Sequence, residues 1–166
     1  MKFDTIEAVQ EGGFGGFKTA PELRESGLTE VPSAPGVYMV CRGPATRPEF
    51  AAKSSGGKFK GRDPTVDLAT LEANWVLGSA VLYIGKAGGG VSSATLRKRL
   101  KSYLRFGAGD PVGHWGGRLI WQLGDLDSLL FCWRRAGDAD ARELERELLQ
   151  EFTRTYGVRP FANLRD

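Results

Sequence analysis

Cysteine and histidine are scarce in this chain: two cysteines, Cys41 and Cys132, and one histidine, His114. Three such residues cannot fill a four-ligand Cys/His zinc cluster. Nor can two cysteines supply the framework of a disulfide-rich secreted domain. They fall in separate strand-like runs, Tyr38–Cys41 and Leu129–Trp133, where a disulfide across the sheet is conceivable but buried free thiols are expected. Long apolar stretches are missing too, since no run approaches the ~20 residues that span a bilayer. The first residues, Met1-Lys2-Phe3-Asp4-Thr5-Ile6-Glu7, lack the apolar core of a signal peptide. The expectation is a cytoplasmic protein with no membrane partner. A strong charge imbalance is also absent, with 23 Lys+Arg against 20 Asp+Glu, net +3 and pI ≈ 9.0. The distribution is less even, because Lys86 to Arg105 carries six cations and no acid. Such a stretch is either a solvated helix face or a field for phosphates.

At 166 residues the chain suits one domain, residues 1–166, with one core. Residues 1–34 read as an N-terminal arm with one or two short elements. Its glycine-rich Gly12–Phe17 carries two phenylalanines that need cover, so it is expected to pack on the domain. Pro32 and Pro35 set up a first strand, Val37–Val40. A second, Ala80–Ile84, follows an insertion over residues 43–79 with cations at Lys53, Lys58, Lys60 and Arg62. Leu68, Leu71 and Trp75 recur there at helical spacing and predict a short docking helix. After the second strand come glycines and the basic helix Thr95–Leu104, then an extra Gly/Trp-rich segment, 106–117. Arg118–Leu123 and Leu129–Trp133 both read as strands, with a turn between them. A helix from about Asp138 to Thr155 is stopped by Gly157 and Pro160.

On a wheel of roughly 100° per residue, Ala141, Leu144, Leu148, Leu149 and Phe152 form the core stripe of that last helix. Glu145 falls inside the stripe, whereas Glu143 and Glu147 point away. A carboxylate on an apolar face needs a partner. It is either one arm of an ion pair or a metal ligand at the foot of a cleft. The glycines after Tyr83 invite a nucleotide-binding reading, but neither fingerprint fits. Gly85-Lys86 opens the loop and continues to Ala87, and Ser93 occupies the third glycine position counted from Gly88. The loop still offers backbone N–H groups to a phosphate.

The order of Gly36-Val37-Tyr38, Tyr83-Ile84-Gly85, basic helix and late glutamate resembles the GIY-YIG nuclease family. The resemblance runs from Pro35 to Asn163, interrupted by the insertion and by the 106–117 segment. It implies an α+β fold, a small three-stranded sheet flanked by helices, with an inserted loop and helix between the first two strands. The third strand would be Arg118–Leu123 or Leu129–Trp133. It further implies a metal-dependent endonuclease acting on nucleic acid, DNA ahead of RNA, with Mg²⁺ or Mn²⁺ and no small-molecule cofactor.

By that resemblance the catalytic set is Tyr38, Tyr83, Lys86, Arg99, Tyr103, Glu145 and Asn163. Glu145 is the metal ligand, and Glu147 is the second choice if the register slips. Arg99 takes the position of a catalytic arginine and lies one turn from Tyr103; Arg97 and Lys98 are its rivals. Either tyrosine could act on water, though a phenol with a pKa near ~10 needs a nearby cation to serve as a base. Lys58, Lys60, Arg62, Arg97, Lys98, Lys101, His114 and Arg118 are the expected nucleic-acid contacts. A module that keeps the fold and binds without cutting is the alternative.

Overall fold

The computed structural model describes residues 1–43 and 47–164, so residues 44–46 of the insertion lie outside it, as do 165–166. In chain order the elements are α1 (Ile6–Glu11), β1 (Gly15–Thr19), α2 (Ala20–Glu25), β2 (Gly36–Cys41) and α3 (Leu68–Asn74). They continue with β3 (Val81–Ala87), α4 (Leu96–Gly107), two 3₁₀ turns (Arg118–Gln122 and Leu126–Ser128), β4 (Leu130–Arg135) and α5 (Ala141–Tyr156). The fold is α+β, built on an antiparallel sheet in the order β1-β4-β2-β3.

That sheet has four strands among the described residues, not three. The added strand comes from the N-terminal arm, whose glycines allow close approach to β4. A Cβ on Gly16 would stand 2.5 Å from the Trp133 ring. The candidate strand Arg118–Leu123 is instead a 3₁₀ turn with Leu119, Ile120 and Trp121 all buried. An unbroken apolar run fits either conformation, and here burial on every side favours the coil.

Each face of the sheet has its own core. Val37, Met39, Cys41 and Cys132 point to α1 and α5, where Val9, Leu148 and Phe152 cover them. Tyr38, Val40, Phe131 and Trp133 point to α4 and the first 3₁₀ turn, against Leu100, Tyr103 and Trp121. The thiols of Cys41 and Cys132 are free and buried, with their sulfurs 3.9 Å apart.

The β2–β3 register decides where the second tyrosine points, and a bulge follows directly beside it. Val40 pairs with Tyr83, but Cys41 pairs with Val81, so Leu82 is the extra residue. Leu82 and Tyr83 therefore join the same core, while Val81 and Ile84 join the other. Tyr83 itself, paired with Val40 in unbroken register from Tyr38↔Gly85, lies on the face that carries Tyr38.

The insertion is docked by polar bonds as well as by its helix. Leu71 is buried, whereas Leu68, expected on the docking face, is 55% exposed. The Gln122 side chain donates to the carbonyls of Ala51 (3.0 Å) and Val66 (2.8 Å) and accepts from Val66 N–H (3.0 Å). No helix among the described residues is long and apolar enough to cross a membrane.

Candidate functional site

Helix α4 begins at Thr95, whose hydroxyl accepts from the Lys98 amide. Leu96, Leu100, Tyr103 and Leu104 then recur on one buried face. Arg99 rides at the margin of that face, four residues before Tyr103, and is carried toward the sheet. There Tyr38, Tyr83, Tyr103 and His114 form a packed cluster. The ring centroids of Tyr38 and Tyr83 are 5.9 Å apart, and those of Tyr83 and Tyr103 are 5.7 Å apart. His114 stacks on Tyr103 at 4.4 Å and places Nε2 3.5 Å from the Tyr38 hydroxyl. Tyr103 donates to the Gly117 carbonyl at 2.7 Å.

Glycine is required at two points of this cluster. A Cβ on Gly85 would meet the Tyr38 phenol at 2.6 Å. One on Gly117, where φ is +73°, would lie 2.5 Å from the Tyr103 hydroxyl. The two tyrosines also differ in access. Tyr38 is fully enclosed, whereas Tyr83 lines a cavity of about 290 Å³ together with Glu145, Arg118 and Asn163.

Burial raises the Tyr38, Tyr83 and Tyr103 pKa values above the ordinary phenol range, and the Arg99 charge opposes the rise in each case. All three therefore stay protonated near neutrality. Burial, aided by the Arg99 charge, lowers His114 from the ordinary 6.5 to about 3 and leaves it neutral. The cluster holds one fixed charge, Arg99, whose Nε is buried without a hydrogen-bond partner. No carboxylate among the described residues is close enough to pair with that guanidinium. Arg99 is half-buried, and leaving a polar atom enclosed there without a partner carries a cost.

Glu145 arrives from α5, on the other side of edge strand β3. It is half-buried, while Glu147 is exposed. Burial raises the Glu145 pKa, and the charges of Lys86, Arg99 and Arg142 work against that. Lys86 and Glu145 also line a second, more open hollow of about 590 Å³, with Arg142, Arg146, Arg154 and Arg159 around them. Asn163 lies at the same edge with both ends of its amide engaged. It accepts from Ile84 N–H (2.9 Å) and donates to the Ile84 carbonyl (2.7 Å), so it clips the tail to β3.

Of the residues read as catalytic, Tyr38, Tyr83, Arg99 and Tyr103 thus gather on one side of β3. Lys86 and Glu145 face each other across its rim, and Asn163 braces it. The expected nucleic-acid contacts separate. Arg97 donates from Nε to the Val31 carbonyl and from a terminal nitrogen to that of Thr29, both at 2.8 Å, and so ties down the N-terminal arm. His114, named among the expected nucleic-acid contacts although a lone histidine is more often structural, is 1% exposed and belongs to the tyrosine core. Lys101 borders a separate hollow with Arg24 and Leu28. Lys98 is exposed. Lys58 pairs with Asp63 at 3.1 Å, while Lys60 and Arg62 sit on an exposed hairpin. Arg118 packs over Trp115 at 4.8 Å and lines the smaller cavity. One amide of the glycine loop is already engaged, since Gly90 N–H donates to Asp140 at 2.8 Å.

The sequence reading missed the arginines of α5 and the tail: Arg142, Arg146, Arg154 and Arg159. A signal was present, because Arg142 and Arg146 are four apart and bracket Glu145. Among the described residues no group of three His, Cys, Asp or Glu could hold a metal ion. The donor chemistry available is one carboxylate, which suits a hard ion that keeps its waters and takes the rest of its shell from a substrate phosphate.

No family model matches the chain, and no curated protein and no solved structure matches it either.

Proposed function

We propose that this protein is a metal-dependent endonuclease of the GIY-YIG type that hydrolyses phosphodiester bonds in nucleic acid, DNA ahead of RNA. The observation that carries the reading is Arg99. Its guanidinium is in contact with no carboxylate among the described residues, yet Tyr38, Tyr83 and Glu145 all feel its charge. A phosphodiester supplies the missing negative charge, and a guanidinium cannot lose its proton to avoid it. Hollows rich in cations on the far side of Glu145 suit the flanking phosphates.

In this mechanism Arg99 binds the scissile phosphate and stabilises the charge that grows on its oxygens. Tyr83, the phenol with access to the cleft, orients the attacking water while its own proton stays on. Tyr38, enclosed behind it, fixes the Tyr83 ring and the Arg99 side chain. Lys86 holds the phosphate from the other side of β3. Glu145 is the side chain that would hold Mg²⁺ or Mn²⁺; when bound, such an ion neutralises charge on the phosphate and its leaving oxygen. Asn163 keeps the tail in place against β3.

The test is cleavage of supercoiled plasmid and labelled single strands with Mg²⁺ or Mn²⁺, with EDTA as control. Wild type should nick, and Arg99→Ala and Glu145→Ala should each lose about 10²–10³-fold or more. Undiminished cutting by both variants would end the assignment. The cavity around Glu145 has five cations to one carboxylate, which also suits a module that binds without cutting. Salt-sensitive binding that survives Glu145→Ala, with no cleavage by wild type, would put that reading first.

A further inference from the structure

The insertion and the Gly/Trp-rich segment interrupt the resemblance at two places far apart in sequence, yet they meet in the fold. Phe59 and Arg62 exchange backbone hydrogen bonds (3.2 and 3.0 Å) around Lys60 and Gly61, whose φ values are +49° and +74°. Positive φ at both central positions makes a tight two-residue hairpin turn. The Phe59 ring lies so close to Gly113 that a Cβ there would be 3.2 Å away. Between the two segments is a slot of about 470 Å³ lined by Phe59, Lys60, Arg62 and Trp115. Trp115 borders the Tyr83–Glu145 cavity as well, so slot and cleft share a wall.

Resting on the nuclease reading, we propose that this slot binds an unpaired nucleotide next to the scissile phosphate. Its base would stack on Trp115 or Phe59, and its phosphate would meet Lys60 and Arg62. Two aromatic side chains interleaved with cations are what a single strand needs, because every base has a π-face to stack and every linkage a charge. Bases paired inside a duplex do not present that face, so the slot discriminates by strandedness. None of its four lining residues is an amide or a carboxylate that would read a base edge. With Lys60 and Arg62 engaged by the phosphate, recognition rests on stacking and is tolerant of sequence. Trp115 is half-buried and Lys60 and Arg62 are exposed, so the slot is reached from solvent.

The test measures anisotropy of a short labelled single strand in EDTA, with no cleavage, for wild type, Trp115→Ala, Trp115→Phe and Lys60→Ala/Arg62→Ala. Trp115→Ala should weaken binding about tenfold and Trp115→Phe should recover most of it. Lys60→Ala/Arg62→Ala should weaken binding and flatten its salt dependence. On the same strand with its bases removed, Trp115→Ala and wild type should bind alike. An unchanged affinity for Trp115→Ala, an equal loss on the abasic strand or on duplex, or equally strong competition by polyglutamate would each overturn the proposal. The two readings fail separately. Trp115-dependent binding by a protein that never cuts sinks the nuclease and keeps the slot. Cutting with Trp115→Ala binding intact sinks the slot alone.

Discussion

The two faces of the sheet are built from the same strands and do different work. The face under α1 and α5 is covered by side chains such as Val37, Met39, Cys132 and Phe152. The face under α4 holds three phenols, an imidazole and the edge of a guanidinium. Burial is as complete on this side, with Tyr38 and Tyr103 fully enclosed. The difference lies in what is left unsatisfied. On the apolar face the buried core atoms want nothing further and contribute stability, while Glu145 and Lys86 stand at its rim, outside that core. On the polar face Arg99 Nε and His114 Nδ1 lack partners, and an orphaned buried donor is a cost that a ligand can remove.

The sharpest way to separate the faces is to damage one and read the other. Phe152 is fully buried against Phe3, with centroids 5.2 Å apart. Phe152→Ala should cost about 3–5 kcal/mol, lowering Tm by about 10 °C. Binding and cutting measured well below that Tm should be unchanged. A catalytic loss at full folding would show that the faces are coupled.

Gly85→Ala attacks the other face. The new methyl would meet the Tyr38 phenol at 2.6 Å, in a core with no room to yield. The expected stability cost is about 1–3 kcal/mol, with a fall in kcat that exceeds any change in KM. Denaturant titration beside cleavage kinetics decides it, and a variant with normal kcat would remove Tyr38 from the positioning machinery.

The mildest probe is pH. His114 titrates at about 3 in the folded protein instead of the ordinary 6.5. Between those values the unfolded chain takes up a proton that the folded chain refuses, so stability is full above about 6.5 and falls as pH drops toward 3. Relative to His114→Phe, wild type should lose at most about 1.4 kcal/mol per pH unit through that window. Urea midpoints from pH 7 downward measure it, and parallel curves would mean that His114 is protonated in place.

Much of this arrangement is legible in the sequence. Strands β2, β3 and β4 announce themselves as short apolar runs, and α4 and α5 by their periodic stripes. The wheel alone sets Glu145 apart from Glu143 and Glu147. What escapes is what depends on distant partners. Strand β1 is unreadable because Gly15 and Gly16 are poor strand formers, and only the bulky Trp133 opposite makes glycine suitable there. The bulge at Leu82 has no local signature, although it turns Leu82 to the same core as Tyr83. Arg97 looks like any cation of a basic helix until the carbonyls of Thr29 and Val31 are seen beside it. His114 is the one histidine and so more often structural than functional, but its glycine-rich surroundings read as loop and do not show what it packs against.

The Asn163 clip has a consequence of another kind. Strand β3 ends the sheet, and an open edge of that sort invites a strand from a second molecule. Here the outward amide and carbonyl of Ile84 are both taken by one side chain, and the Leu82 carbonyl accepts from Ala162 N–H at 2.9 Å. At the opposite border β1 is short, irregular between Gly16 and Lys18, and carries that lysine. Each border thus has its own guard against edge-to-edge aggregation, and the one beside Glu145 also closes that end of the cleft.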